Sequence, residues 1–210
     1  MSGARVKVVV LDYGSGNLRS AQRALERVGA EVTVTDDLAL AGAADGLVVP
    51  GVGAYAACMA GLEAIDAGAV IAERLRLGAP VLGICVGLQV LFDAGAEHGV
   101  VTKGLGLVPG LVTRLPARIV PHLGWNTVAW PAGSVLGAGI DDATRFYFVH
   151  SYAAQDLAAL AAVGARVAVT GHGAPFAAAF ESGALAATQF HPEKSGDAGA
   201  ALLANWIGAL

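Results

Sequence analysis

Hydrophobic positions along the chain fall into short continuous runs, separated by stretches in which they recur every three or four residues. VKVVVL at residues 6–11 is a β-branched run; after DYGSGN, Leu18, Ala21, Leu25 and Val28 follow at helical spacing and Gly29 closes the pattern. This predicts a strand, a turn and a helix. EVTVT at residues 31–35 alternates as a strand, GLVVP at 46–50 is another apolar run, residues 55–77 carry one or two helices, and VLGI at 81–84 returns to the sheet. Apolar runs that alternate with helices belong in a parallel sheet covered on both faces. From residue 104 to 190 the pieces shorten: FYFVHSY, RVAVT and AAAFESGALAATQF, the last a hairpin with Ser182-Gly183 at its turn, predict an antiparallel or mixed section. Residues 198–210 form an apolar helix pattern that packs on the sheet. The expected fold is one α/β domain over residues 1–210. Its central sheet is mixed and mostly parallel, with helices on both faces and an antiparallel section in the C-terminal half.

Composition narrows the classes. With 55% hydrophobic and 14% charged residues, the chain raises the question of a membrane protein. The longest stretch free of acidic and basic residues, 119–140, contains Pro121, His122, Asn126 and Pro131, which is no spanning helix of roughly 20 apolar residues. MSGARVKVVVLDYG runs directly into a strand pattern, so no secretory leader is expected and the cytoplasm is the expected location. Cys58 and Cys85 lack CxxC spacing and neighbouring His ligands, which argues against a zinc site and a disulfide framework. The net charge of -4, without a basic cluster, argues against nucleic acid. A small polar substrate or a protein partner fits better.

VLGICVGLQVLF at residues 81–92 carries the first candidate chemistry. With a strand before Cys85 and a helix from Val86 onward, the thiol sits on the sharp turn of a nucleophile elbow. Such a turn crowds the positions two before and two after the nucleophile, here Gly83 and Gly87, and the helix amino terminus below it favours thiolate. A buried cysteine is most often a small hydrophobe, and Gly-x-Cys-x-Gly is a weak signal among 29 glycines, so on this motif alone packing and catalysis both stay open. A nucleophile of this kind needs a base, and the base needs an acceptor to orient it. In TQFHPEKS, His191 follows an apolar strand pattern and Glu193 stands two positions on. In an extended segment both project to one side, so Glu193 can hold one ring nitrogen and leave the other for Cys85. A loop histidine beside a solvated glutamate is the alternative. PGVG at residues 50–53 follows the GLVV strand; the backbone N–H groups of Gly51, Val52 and Gly53, with that of Val86, could form an oxyanion hole if the two strands are neighbours. Otherwise it is a Pro-Gly turn.

Taken together, GICVGLQ, PGVG and HPEKS resemble the class I, triad-type glutamine amidotransferases. The order of nucleophile, histidine and then an acid two residues later separates the pattern from α/β-hydrolases. DYGSGN at 12–17, EHGVVTKGLGLVPG at 97–110, PHLGWN at 121–126 and FVHSY at 148–152 narrow the resemblance to the glutaminase subunits of imidazole glycerol phosphate synthases, over nearly the whole chain. That resemblance implies that Cys85 attacks the side-chain amide of L-glutamine, with His191 as base and Glu193 as orienting acid. It also implies substrate contacts at Gln89, Glu97, Ser151 and Tyr152, and a Val52 N–H that must reorient before the oxyanion hole is complete. The ammonia would pass to a (β/α)₈-barrel cyclase subunit, the second half of a heterodimer that makes imidazole glycerol phosphate and AICAR in histidine biosynthesis. Asn17, Trp125 and Lys194 map onto positions facing that partner. No cofactor and no metal are implied.

The chain departs mildly from the pattern. Val86 and Leu88 stand where Leu and Met are common, and His98 stands where a second acidic residue is common, which bears on the Glu97 assignment. DYGSGN also invites a dinucleotide-loop reading, but Arg19 replaces the third glycine of GxGxxG. His98 and His172 are expected in Gly-flanked loops, His122 in the interface motif, and His150 on a strand with a structural or substrate-lining role. Two other readings stay open: a glutaminase serving another synthase, such as the one making pyridoxal phosphate, and a non-catalytic scaffolding relative.

Overall fold

The structure, a computed structural model, describes residues 5–210; residues 1–4, part of the stretch bearing on a leader, lie outside them. Strand β1 (Lys7–Leu11) leads through the DYGSGN turn to α1 (Leu18–Arg27), followed by β2 (Glu31–Thr35), α2 (Leu38–Ala43), β3 (Gly46–Gly51), α3 (Tyr55–Ala64), α4 (Ala67–Arg76) and β4 (Val81–Cys85). A single helical turn, α5 (Val86–Gln89), precedes β5 (Phe92–Glu97), β6 (Val100–Lys103), β7 (Val108–Arg114), β8 (His122–Thr127), β9 (Arg145–His150) and β10 (Tyr152–Ala154). The chain ends with α6 (Leu157–Ala162), β11 (Arg166–His172), β12 (Ala174–Ser182), β13 (Leu185–Thr188), a 3₁₀ turn (Pro192–Lys194) and α7 (Gly196–Ile207).

The main sheet has seven strands in the order β11-β12-β13-β4-β3-β1-β2. From β2 to β13 the pairing is parallel, and β12 and β11 add antiparallel strands at one edge. Every residue of β3 and β4, and all of β1 after Lys7, is buried, so both faces of the sheet are covered. That double burial is why these strands read as continuous apolar runs. The edge strand β2 is half exposed and accordingly alternates. Phe146, Phe148, Phe176 and Phe190 are fully buried together, with Phe146 and Phe190 stacked at 4.3 Å. Each such side chain contributes about 1.5–3 kcal/mol of burial.

Several local expectations shift. The hairpin β12–β13 forms, but Ser182 pairs with Leu185, so its two turn residues are Gly183 and Ala184. The helix after Cys85 lasts one turn, and residues 92–103 enter a second, four-stranded sheet, β10-β7-β5-β6, that the sequence pattern did not announce. LQVLF satisfies both a helical and a strand period. Gly95 of β5 packs so close to the Tyr55 ring that a methyl there would overlap it. β8 and β9 form a separate two-stranded ribbon that pairs His122 with His150 and Trp125 with Tyr147. His172, expected in a loop, closes β11. Among the described residues no single helix is long and apolar enough to cross a membrane.

Candidate active site

Cys85 is the last residue of β4 and has φ 57° and ψ -112°, a backbone region that costs a non-glycine residue about 1–3 kcal/mol. The pairing of β4 with β3 on one side and β13 on the other holds it there. The glycines around it mark close backbone approaches. A methyl on Gly83 would stand 2.7 Å from the Gly87 carbonyl oxygen, one on Gly51 would stand 2.6 Å from the Gly87 nitrogen, and one on Gly87 would overlap the Val49 carbonyl. Because α5 is one turn long, the helix-end field at the thiol is that of a single turn rather than of a full helix.

Three neighbouring parallel strands, β13, β4 and β3, deliver their C-terminal ends to the same edge of the sheet. The Cys85 thiol lies at the middle one, the PGVG turn at one neighbour and the segment reaching His191 at the other. Ser195 Oγ fixes that last segment: it donates to the His191 carbonyl at 2.7 Å and accepts from the Tyr147 N–H of β9 at 3.0 Å. The His191 Nδ1–H donates to Glu193 Oε1 at 2.7 Å, with both side chains almost fully buried. The two meet through the 3₁₀ turn Pro192–Lys194 and not through an extended segment, because proline, which has no N–H to lose, suits the first position of a helical turn. Burial alone would push the His191 imidazole down. Hydrogen bonds to the Cys85 and Glu193 side chains, with the negative charge of both, outweigh burial and lift it to about 9. With Nδ1 held by Glu193, Nε2 is left for the thiol.

A cavity of about 230 Å³ opens over this edge. Of the residues singled out in the sequence, Cys85, His191, Val52, Gly53, Val86, Gln89, Glu97, His150, Ser151, Tyr152 and Lys194 line it. Glu193 stands behind His191. Gly51 is buried at the end of β3, paired with Cys85, and does not line the cavity. Glu97 accepts the Tyr55 N–H through one carboxylate oxygen at 2.9 Å, which ties β5 to the start of α3. Asn17 lies outside the cavity, in a loop pressed onto the PGVG turn: a methyl on Gly16 would stand 2.9 Å from the Pro50 side chain. Trp125 is 53% exposed on β8, where Leu123 is 63% exposed beside it.

Val52 is held through both of its backbone polar groups. Its N–H donates to Ser15 Oγ at 3.2 Å, and the Ser15 hydroxyl in turn donates to the Val52 carbonyl at 2.9 Å. The buried Cys58 thiol donates to the same carbonyl at 3.5 Å. Tyr13 from the same loop donates its hydroxyl to the Pro50 carbonyl. Neither Ser15 nor Cys58 stood out in the sequence, since the contact is made between DYGSGN and PGVG, 37 residues apart. Gln189 was also missed. Its Nε2 donates to Cys85 Sγ at 3.8 Å, and its Oε1 accepts from Gln89 Nε2 at 2.9 Å. The signal existed: Gln189 stands two residues before His191 in a strand-like run, on the same side of the backbone.

The family model "Glutamine amidotransferase class-I" matches residues 9–209. The chain is 63% identical over 203 residues to the imidazole glycerol phosphate synthase subunit HisH of Mycobacterium bovis, covering 97% of this chain and 98% of that one. It is 60% identical over 208 residues to the HisH subunit of Streptomyces avermitilis, covering 97% of each. Among solved structures, it superposes on a putative GMP synthase subunit from Thermoplasma acidophilum with a TM-score of 0.73 at 22% identity, over 98% of this chain and 94% of that one. It superposes on PurLQS from Thermotoga maritima with a TM-score of 0.68 at 18% identity, over 98% and 99%. These two likenesses bear on the fold alone. The elbow, its neighbouring strand ends and the near-full-length matches converge: the chain belongs to the class I glutamine amidotransferases and, within them, to the HisH subunits of imidazole glycerol phosphate synthase.

Proposed function

We propose that Cys85, His191 and Glu193 are the triad with which this chain, the glutaminase subunit of imidazole glycerol phosphate synthase in histidine biosynthesis, hydrolyses L-glutamine, and that it delivers the ammonia to a (β/α)₈-barrel cyclase subunit. The observation that carries the reading is the buried Glu193–His191 pair beside Cys85, at one edge of three adjacent parallel strands under a cavity. An imidazole lifted to about 9 supports a His191 that carries a proton on Nε2 to give to the leaving nitrogen.

In the reaction the sulfur attacks the amide carbon of glutamine, giving a tetrahedral oxyanion. Collapse of that intermediate breaks the C–N bond, and His191 gives its Nε2 proton to the departing nitrogen, which leaves as ammonia. Water then attacks the γ-glutamyl thioester, His191 takes its proton, and glutamate is released with the thiolate restored. Glu193 keeps Nδ1 protonated and stabilises the imidazolium. Glu97 and the segment Ser151–Tyr152 take the main-chain end of the substrate, and Gln89 takes its place along the side chain. The Val86 N–H supplies one oxyanion donor. The Val52 N–H supplies the other after leaving Ser15, so the resting site is incomplete. Lys194, at the cavity mouth, together with Asn17 and exposed Trp125, faces the cyclase.

Glutamate release tests the reading, measured on the purified chain alone and then mixed with its cognate cyclase and the nucleotide ligand of that cyclase, with Cys85→Ala as control. Hydrolysis that rises in the loaded complex and disappears in the variant is the expected result. No hydrolysis in an assembled, ligand-loaded complex removes the reading.

A further inference from the structure

His122 and His150 are buried polar residues with no part in the triad. They sit opposite each other on β8 and β9, and His122 Nδ1 lies 3.1 Å from His150 Nε2. His150 Nδ1 lies 2.9 Å from the Tyr152 carbonyl, and His122 Nε2 lies 3.3 Å from Asn126 Nδ2. The backbone fixes where each proton is. Asn126 Oδ1 accepts the Thr127 N–H at 2.9 Å and Asn126 Nδ2 donates to the Gly171 carbonyl at 3.2 Å, so its amide has one orientation. Its N–H then faces His122 Nε2, which must accept, and His122 Nδ1 must donate. His150 Nε2 therefore accepts, and His150 Nδ1 donates to Tyr152, whose carbonyl can only accept. Both rings are neutral and in one tautomer each. Burial, which pushes both imidazoles well below their ordinary value, agrees with that assignment.

The Tyr152 carbonyl also accepts from Gln89 Nε2 at 2.9 Å. The second Gln89 N–H goes to Gln189 Oε1, and Gln189 Nε2 reaches Cys85 Sγ. Two runs of donors, meeting at the Tyr152 carbonyl, thus join the β8–β9 ribbon, whose outer face exposes Leu123 and Trp125, through the wall of the cavity to the sulfur. Their meeting point is a backbone carbonyl in a chain segment that changes strands, since β9 ends at His150 and β10 begins at Tyr152. Between the two strands the Ser151 carbonyl accepts the Leu115 N–H at 2.9 Å, and the His150 ring adds a side-chain tie at the next carbonyl.

We propose that His150, locked in its tautomer by His122 and Asn126, is a positioning residue for glutamine: it sets the Tyr152 carbonyl and, through it, the Ser151–Tyr152 segment and the Gln89 amide. Neither ring takes part in bond making; His150 acts through the cavity wall. The proposal rests on the glutaminase reading above, in which that wall holds the substrate.

The variants His150→Leu, His150→Asn and His122→Phe separate positioning from packing. Asparagine places its Nδ2 where the imidazole carries Nδ1 and keeps the donor to Tyr152, whereas leucine fills the space and loses it. Phenylalanine at 122 keeps the ring stack on Phe148 and His172 but frees the His150 tautomer. In the complex with the nucleotide-loaded cyclase, His150→Leu is expected to raise KM for glutamine about tenfold, with kcat within about twofold. His150→Asn returns KM to within about threefold of the parent, and His122→Phe gives an intermediate rise. Titration calorimetry of glutamine into the same variants on a Cys85→Ala background should show the same order of affinities. If His150→Leu does not fold, His122→Phe decides by the same readout. An unchanged KM in the folded variants, or a fall in kcat without a KM change that asparagine fails to reverse, overturns the proposal. A parent complex that does not hydrolyse glutamine at all overturns the glutaminase reading instead.

Discussion

Replacing Ser15 by alanine should raise the glutaminase activity of the isolated chain. The Ser15 hydroxyl makes two hydrogen bonds to one residue, in two adjacent peptide groups: it accepts the Val52 N–H at 3.2 Å and donates to the Val52 carbonyl at 2.9 Å. The first occupies the Val52 N–H proposed for the oxyanion hole, and the second steadies the following peptide in the conformation that permits it. A net intramolecular hydrogen bond contributes about 0.5–1.5 kcal/mol. Both of these bonds are exposed, where water competes, so the lower part of that range applies and the pair favours the resting loop by about 1–2 kcal/mol. The Cys58 thiol keeps its weaker bond to the same carbonyl in the variant and preserves part of the hold. Removing the serine bonds therefore shifts the loop population by about five- to thirtyfold, since 1.4 kcal/mol is a factor of ten. If the competent fraction limits basal turnover, kcat without partner rises by that factor while activity in the ligand-loaded complex changes little. The assay is glutamate release from the chain alone, from the complex without nucleotide and from the loaded complex, each for parent and Ser15→Ala. Basal activity that stays level or falls in a folded variant would refute the reasoning, because Ser15 would then support the loop without restraining it.

The same geometry carries three more expectations. Glu193→Gln removes the charge behind His191 Nδ1 and should lower kcat by about 10²-fold or more with KM little changed, read by steady-state kinetics in the loaded complex; equal loss in both parameters would count against its role as orienting acid. Gly87→Ala drives a methyl into the Val49 carbonyl and should leave little folded protein, seen as a collapse of the thermal transition, whereas Gly164→Ala, at a surface glycine with open space beside it but φ 77°, should cost only about 1 kcal/mol. Stability should peak near pH 6.5. His191, raised from 6.5 to about 9, contributes stability that is fully present below about 6.5 and is lost as pH rises through about 9. His122 and His150 are lowered from 6.5 to about 4 and about 3, so the unfolded chain takes up protons before the folded one does and stability falls as pH drops below 6.5. Urea midpoints across pH 4.5 to 9.5 would show both limbs, and His122→Phe should flatten the acid one; an acid limb of equal slope in that variant would contradict the assignment.

Local pattern along the chain was enough for the parallel strands of the main sheet, for the sharp turn at Cys85 and for the His191–Glu193 pair. Short apolar runs at residues 6–11, 46–50 and 81–84, each bounded by turn residues and alternating with helical patterns, read as strands buried on both faces, and a cysteine flanked by glycines after such a strand marks a crowded turn. His191 and Glu193 were legible as a pair because they are two residues apart, although the turn that joins them is 3₁₀ and not the extended segment the sequence suggested. Gly87 was legible as crowded, although only the structure shows that the Val49 carbonyl is what crowds it. Everything that depends on pairing distant segments came from the tertiary fold. That Ser15 holds Val52 follows from the close approach of the β1–α1 loop to the end of β3, which no local pattern records. The short α5 and the second sheet were hidden because a run such as LQVLF buries its apolar side chains equally well as helix or strand, and the partners β6 and β7 that pair with β5 come from later in the chain. The His122–His150 pair was hidden for the same physical reason: a histidine in a strand shows neither its tautomer nor its partner, and here both are set by backbone groups of Thr127, Gly171 and Tyr152 that only the fold brings within reach.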